Sequence, residues 1–185
     1  MKPNRTSPEV IADIFFGQIV LVWARWFFIG AAIVLALLGT ATPAELTGML
    51  LVALVLMAIN GFIHARYLME KPANRWLLLA ASLLDVVMIL GLILGWRGGT
   101  GLRSQFFIFF YPLLFAFALV FPPRLAVAYT ALVVGLYALV GIALDPAAAL
   151  SLSGVQTLGM RLITLAAMGG LGAYYYRAQR AARPA

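Results

Sequence analysis

Residues 76–96 read WLLLAASLLDVVMILGLILGW. Between the two tryptophans the one ionisable side chain is Asp85. A helix rising 1.5 Å per residue puts Trp76 and Trp96 about 30 Å apart. That is about the thickness of the bilayer's hydrocarbon core, and tryptophan favours the two membrane–water interfaces. The stretch predicts a membrane-spanning helix with a carboxylate about 15 Å from either interface.

The same reading extends outward in both directions. It predicts spans at 22–40, 46–66, 76–96, 105–121, 125–144 and 158–177. The fold class is all-α, an integral membrane bundle of about six helices. The domain reading is an N-terminal interfacial segment over 1–21, the transmembrane domain over 22–177 and a basic tail over 178–185. Ser7 and Pro8 form a helix start, and no residue from Pro8 to Thr40 forces a stop. That length, about 48 Å, exceeds the core. Arg25 is expected at the inner interface beside Trp23 and Trp26, where a charge costs little. Residues 8–21 are therefore expected to protrude, with Glu9, Asp13 and Gly17/Gln18 as a polar stripe. A cleavable signal peptide is not expected, because 1–13 is polar and the apolar run is too long.

Composition agrees. Of 185 residues 64% are apolar and 10% charged, against about 45–50% and 25% in soluble domains, and the mean hydropathy is +1.02. A soluble domain, a disordered chain and a disulfide scaffold are excluded. The net charge is +7, carried in loops and tails, where membrane orientation explains it without nucleic acid. Lys2, Arg5, Arg25, Arg66, Lys71, Arg75, Arg124, Arg177, Arg180 and Arg183 fall on one side; Arg97, Arg103 and Arg161 fall on the other. That bias puts both termini in the cytoplasm of a bacterial inner membrane. No cysteine is present, which removes disulfides, thiol catalysis and iron–sulfur clusters.

Few residues could carry chemistry. Asp85 reads either as a proton or ligand site or as a polar contact to Arg161, a tyrosine or a serine. Arg161 reads as snorkelling outward or reaching towards Asp85. His64 is the single histidine and reads as an interfacial side chain near Arg66. No cluster has metal-ligand spacing, and no catalytic residue is expected. Phe106, Phe110, Phe117 and Phe121 share one helix face, and Pro112 lies inside the same span. With Tyr111 they read as a flat pocket for a ring such as a quinone, or as core packing. Gly91-x-x-x-Gly95 and Gly169, Gly170 and Gly172 mark close helix contacts.

The chain resembles the membrane input region of redox sensor histidine kinases of the RegB type. The residues behind the resemblance are Arg25-Trp26, Asp85, the loop Gly99-Thr100-Gly101-Leu102-Arg103-Ser104-Gln105-Phe106 and the basic exit Arg177 to Arg183. In that family the loop reads Gly-Gly-Leu-x-Asn-Pro-Phe and is tied to quinone sensing. Gly101, Leu102 and Phe106 match; Thr100, Ser104 and Gln105 depart from it. The resemblance implies a sensory module with Asp85, Arg103, Ser104, Phe106, Phe110, Tyr111 and Arg161 around a quinone or lipid. Neither the phospho-acceptor helix nor the ATP-binding domain of such kinases is expected within these 185 residues. The competing readings are an accessory subunit of a respiratory or photosynthetic complex and a small transporter. A membrane-protein partner or a homodimer is expected, through the small-residue faces or the 8–21 and 177–183 segments.

Overall fold

The computed structural model describes residues 8–38, 42–69, 71, 74–95 and 101–181, without the side chains of 8–14, 36, 179 and 180. Ser7, Trp96, Arg97, Gly99, Thr100 and Arg183 lie outside them, as do the side chains of Glu9, Asp13 and Arg180. Every described element is helical: α1 (Pro8–Leu38), α2 (Pro43–Leu68), α3 (Arg75–Gly95), α4 (Phe110–Val120), α5 (Pro123–Leu144), α6 (Pro146–Ala149) and α7 (Leu152–Ala181). Two 3-10 turns, Gly101–Arg103 and Phe106–Phe109, lead into α4.

Four described stretches are long and apolar enough to cross a membrane: Phe15–Leu35, Pro43–Leu68, Arg75–Gly95 and Pro123–Leu144. The apolar stretch at Phe106–Val120 is shorter. Helix α7 is long, but Arg161 and its many small and polar residues dilute its apolar character.

The local signals act where the chemistry requires. At the start of α2, Thr42 and Glu45 form a reciprocal capping box, with Pro43 in the first turn. Helix α4 ends at Phe121, which turns extended (φ −101°, ψ 154°) before Pro122-Pro123, because a proline disfavours helical geometry in the residue ahead of it. Pro112 does not interrupt a helix. It sits in the first turn of α4, where its missing N–H would be unpaired anyway.

The short α4 is the hub. It packs against α1, α3, α5 and α7, while α2 lies mainly on α1. Phe110, Phe117 and Ala118 have no exposed surface. Glycines set the closest approaches. A Cβ at Gly172 of α7 would stand 2.6 Å from the Ala118 Cβ of α4, and one at Gly169 would collide with Thr130 of α5. Gly91 and Gly95 differ from the expectation: both are exposed, and among the described residues nothing lies within 4 Å of a Cβ added at either.

Helix α1 corrects the expected surroundings of Arg25 and Gln18. It is continuous from Pro8 to Leu38, and its described side chains from Phe15 to Leu35 form one apolar stretch long enough to cross a membrane. Arg25 lies at the centre of that stretch, 4% exposed. Gln18 is not part of a solvated stripe; it is fully buried and donates to the Ile63 carbonyl of α2 at 2.8 Å. Asn60 returns the arrangement, donating to the Val22 carbonyl of α1 at 3.1 Å. These bonds pin α1 to α2 in a single axial register.

Candidate functional site

The buried residues of α1 recur at Gln18, Leu21, Val22, Arg25, Phe28, Ile29 and Ala32. This is the three-and-four spacing of one helix face, and Arg25 occupies it like an apolar residue. On α3 the buried face carries Leu78, Ala81, Ser82, Asp85, Val86 and Ile89. Bringing the two faces together places the central arginine of one span opposite the central acid of another.

The contact is direct. Arg25 Nε donates to Asp85 Oδ2 at 2.7 Å, with both side chains 4% exposed. Arg25 Nη2 donates to Ser82 Oγ at 3.3 Å, and the Ser82 hydroxyl donates to the Leu78 carbonyl at 2.9 Å. Tyr129 of α5 donates to the Ser82 carbonyl at 2.8 Å. Its ring stacks on Phe117 of α4 at 3.7 Å and 9°. Four helices thus converge on one ion pair. An isolated charge at this depth would cost at least about 3 kcal/mol; pairing explains why Arg25 does not need the interface.

One donor is left over. Arg25 Nη1 is buried with no hydrogen-bond partner among the described residues. A buried unpaired donor costs about 1–3 kcal/mol or more when charged. Arg25 also lines a crevice between α1, α3 and α4, with Asp85, Phe28, Phe109, Pro112 and Leu113 among its walls. The crevice has room for about one water molecule, so a quinone ring does not fit it as it stands. An apolar groove of about 20 Å³ lies alongside, between α1, α2 and α3, and Phe28 belongs to both.

The other sequence-predicted residues gather elsewhere. Arg161 of α7 neither snorkels free nor reaches Asp85. Its Nη1 donates to Tyr137 Oη at 2.7 Å and, more weakly, to the Ser104 carbonyl at 3.4 Å. The guanidinium lies over the Phe107 ring at 3.8 Å. Tyr111 shares a 2.9 Å hydroxyl contact with Thr164, one turn on from Arg161. Phe110 meets the edge of Tyr137 at 6.1 Å. Ser104, Phe110, Tyr111 and Arg161 therefore form a second cluster, distinct from that at Asp85. Phe106 stacks on Phe109 and is buried; neither Phe106 nor Phe110 lines the Arg25 crevice. Arg103 is exposed and makes no hydrogen bond or ion pair among the described residues. The aromatic segment faces two ways: Phe109 meets Phe28 edge-on at 4.8 Å, and Phe107 and Phe110 turn to Tyr137.

His64 Nδ1 accepts from Trp26 Nε1 at 3.3 Å, an α1–α2 contact. Among the described residues no group of acidic, histidine or cysteine side chains is placed to hold a metal ion.

Sequence reasoning missed Arg25, Ser82 and Tyr129 as companions of Asp85. A signal for the first was present: opposite charges at the centres of two apolar stretches, the arginine in phase with Leu21, Val22 and Phe28. Comparison with protein families, curated proteins and solved structures finds no match to this chain.

Proposed function

We propose that the chain is a non-enzymatic sensory or regulatory membrane bundle that answers to a lipophilic ligand, a quinone or another lipid-soluble molecule, whose binding parts the helices around the narrow crevice at the Arg25–Asp85 pair. The proposed topology has six spans and both termini in the cytoplasm, α4 with its preceding turn and α7 being the two beyond the four longest apolar stretches. The observation that carries the reading is the incomplete ion pair: a charged donor, Arg25 Nη1, buried without an acceptor beside an apolar crevice. A purely structural pair gains most when every donor and acceptor is satisfied. Four helices meet at this pair, so an added acceptor there would shift their packing together.

Binding of a short-chain quinone to purified protein in nanodiscs tests the reading. Asp85→Asn and Arg25→Lys are expected to weaken binding at least tenfold, and Tyr111→Phe in the second cluster to leave it unchanged. If Tyr111→Phe is the change that matters, the site lies with Arg161 instead. Single cysteines introduced into this cysteine-free chain check the topology by labelling from either side.

A second reading, an accessory subunit or homodimer, draws on the exposed Gly91-x-x-x-Gly95 face of α3, where a Cβ on either glycine would meet none of the described residues within 4 Å. Native mass spectrometry of gently extracted membranes distinguishes the two: fixed-ratio company with larger subunits supports it, and a ligand-bearing monomer removes its basis.

A further inference from the structure

Where the Gly101–Arg103 turn meets α5 and α7, the bundle carries two arginines that no acid neutralises. Arg161 of α7 is held from one side only. Its Nη1 is taken up by Tyr137 Oη at 2.7 Å and the Ser104 carbonyl at 3.4 Å, and the Phe107 ring covers one face at 3.8 Å. Its Nε and Nη2 have no hydrogen bond among the described residues, and both keep accessible surface. Those two nitrogens form the edge of parallel N–H groups that a guanidinium offers bidentately to an oxyanion. Arg103 is exposed and unpaired, and it adjoins Ser104, whose carbonyl meets Arg161. Among the described residues no carboxylate pairs with either arginine. Tyr137 and Phe107 have already fixed the Arg161 head, so little side-chain freedom is left to lose on binding.

The length of the neighbouring span says where the oxyanion comes from. The turn Phe106–Phe109 and α4 together rise about 24 Å, short of the ~30 Å hydrocarbon core. A short span is accommodated by local thinning of the bilayer, which draws phosphate groups down towards the bundle. Arg161 stands beside that span: α7 packs against α4, and Phe107 lies under the guanidinium. The apolar side chains next to Phe107 and Arg161 in the chain face outward, Ile108 being 52% and Met160 70% exposed. They offer hydrocarbon contact beside the free edge of the arginine. Two positive charges also discriminate between headgroups. A lipid with net negative charge neutralises one of them, whereas a choline headgroup would add a third cation.

We infer that Arg161 and Arg103 hold the phosphodiester of an anionic phospholipid, Arg161 through its Nε–Nη2 edge and Arg103 as the second charge, with the acyl chains against Ile108 and Met160. The site is separate from the Arg25–Asp85 pair and stands whether or not that pair answers to a ligand.

Native mass spectrometry of the full chain tests it. Delipidated protein in a non-ionic detergent is titrated with phosphatidylglycerol or phosphatidylcholine of the same acyl chains. The wild type is expected to retain phosphatidylglycerol at least fivefold more than phosphatidylcholine. Arg103→Gln changes an exposed, unpaired side chain, so the bundle keeps its packing. It is expected to lower phosphatidylglycerol retention about fivefold, the effect of one basic side chain at an anionic surface. Arg161→Lys keeps the charge but removes the parallel donor edge, and is expected to lower retention at least as much. Arg124 and Arg177, at the opposite ends of α5 and α7, are also exposed and unpaired; replacing both by glutamine is expected to leave retention unchanged. Equal retention of the two lipids, or wild-type retention in Arg103→Gln, overturns the site. Wild-type retention in Arg161→Lys overturns the bidentate contact. Loss in the Arg124→Gln/Arg177→Gln variant alone places the lipid at the other end of the bundle and overturns the assignment. Displacement of the lipid by excess inorganic phosphate assigns the arginines to a free oxyanion and overturns the lipid.

Discussion

Asp85→Leu strips Arg25 of its partner and leaves a guanidinium between Phe28, Ile89 and Phe109. Arginine cannot escape by losing its proton. Among the described residues Ser82 Oγ, at 3.3 Å, is then its single remaining acceptor. Breaking a buried pair in this manner costs about 3–5 kcal/mol. The converse change, Arg25→Met, should cost less, about 1–3 kcal/mol, the penalty of an unpaired polar group. A carboxylic acid without its partner can bind a proton and become neutral. The double variant removes both charges and fills the space with apolar side chains of similar volume. Such replacements of buried pairs are often neutral or stabilising, and Ser82 keeps its bond to the Leu78 carbonyl. The double variant should therefore lie within about 1 kcal/mol of wild type, more stable than Asp85→Leu alone. Unfolding by SDS titration in bicelles measures all four proteins. An Asp85→Leu cost below about 1 kcal/mol, or a double variant no better than that single one, would refute a desolvated, mutually dependent pair.

Two further outcomes are read by the same assay. Gly172→Ala should cost about 1–3 kcal/mol by overpacking, because its methyl would press on Ala118 at 2.6 Å and on the Phe115 carbonyl at 3.2 Å; its neighbour Gly170→Ala, with open space around it, should be neutral or gain up to about 1 kcal/mol of helix propensity. Equal effects at the two positions would mean that α7 is rotated relative to α4. Arg161→Leu should cost about 1–3 kcal/mol by leaving the buried Tyr137 hydroxyl without its 2.7 Å partner, and adding Tyr137→Phe should recover part of that loss; no recovery would show that the Phe107 contact, rather than the hydrogen bond, holds Arg161.

How much was legible beforehand differs from one element to the next. The break at Pro122-Pro123 is local backbone chemistry, and the sequence carries it in full. The buried side of Phe106, Phe110, Phe117 and Phe121 follows from helical spacing, and all four are at most 5% exposed. Spacing could not say that Phe106–Phe109 winds as a 3-10 turn ahead of α4. Nor could it show that the crevice takes Phe109, which lies off that face. Gly91-x-x-x-Gly95 and Gly169 to Gly172 look alike as small-residue patterns. One faces outward and the other meets α4 and α5, a difference that depends on which helices are neighbours.

The amino-acid sequence by itself determined the solvent. An apolar majority, and a carboxylate at the middle of an apolar stretch as long as the hydrocarbon core is thick, follow from composition and helix rise alone. It also marked Asp85 as the residue in need of an explanation, because a charge far from water demands a partner whatever the fold. Which partner was a tertiary decision. The sequence offers Arg161, a tyrosine or a serine, and sets Arg25 at the interface. The Gln18–Ile63 and Asn60–Val22 bonds fix the register of α1, and the placement of α4 between α1, α3, α5 and α7 sets Arg25 against Asp85 and Arg161 against Tyr137. Electrostatic pairing is a property of distance in three dimensions. Residues sixty apart in the chain acquire that distance only when the helices pack.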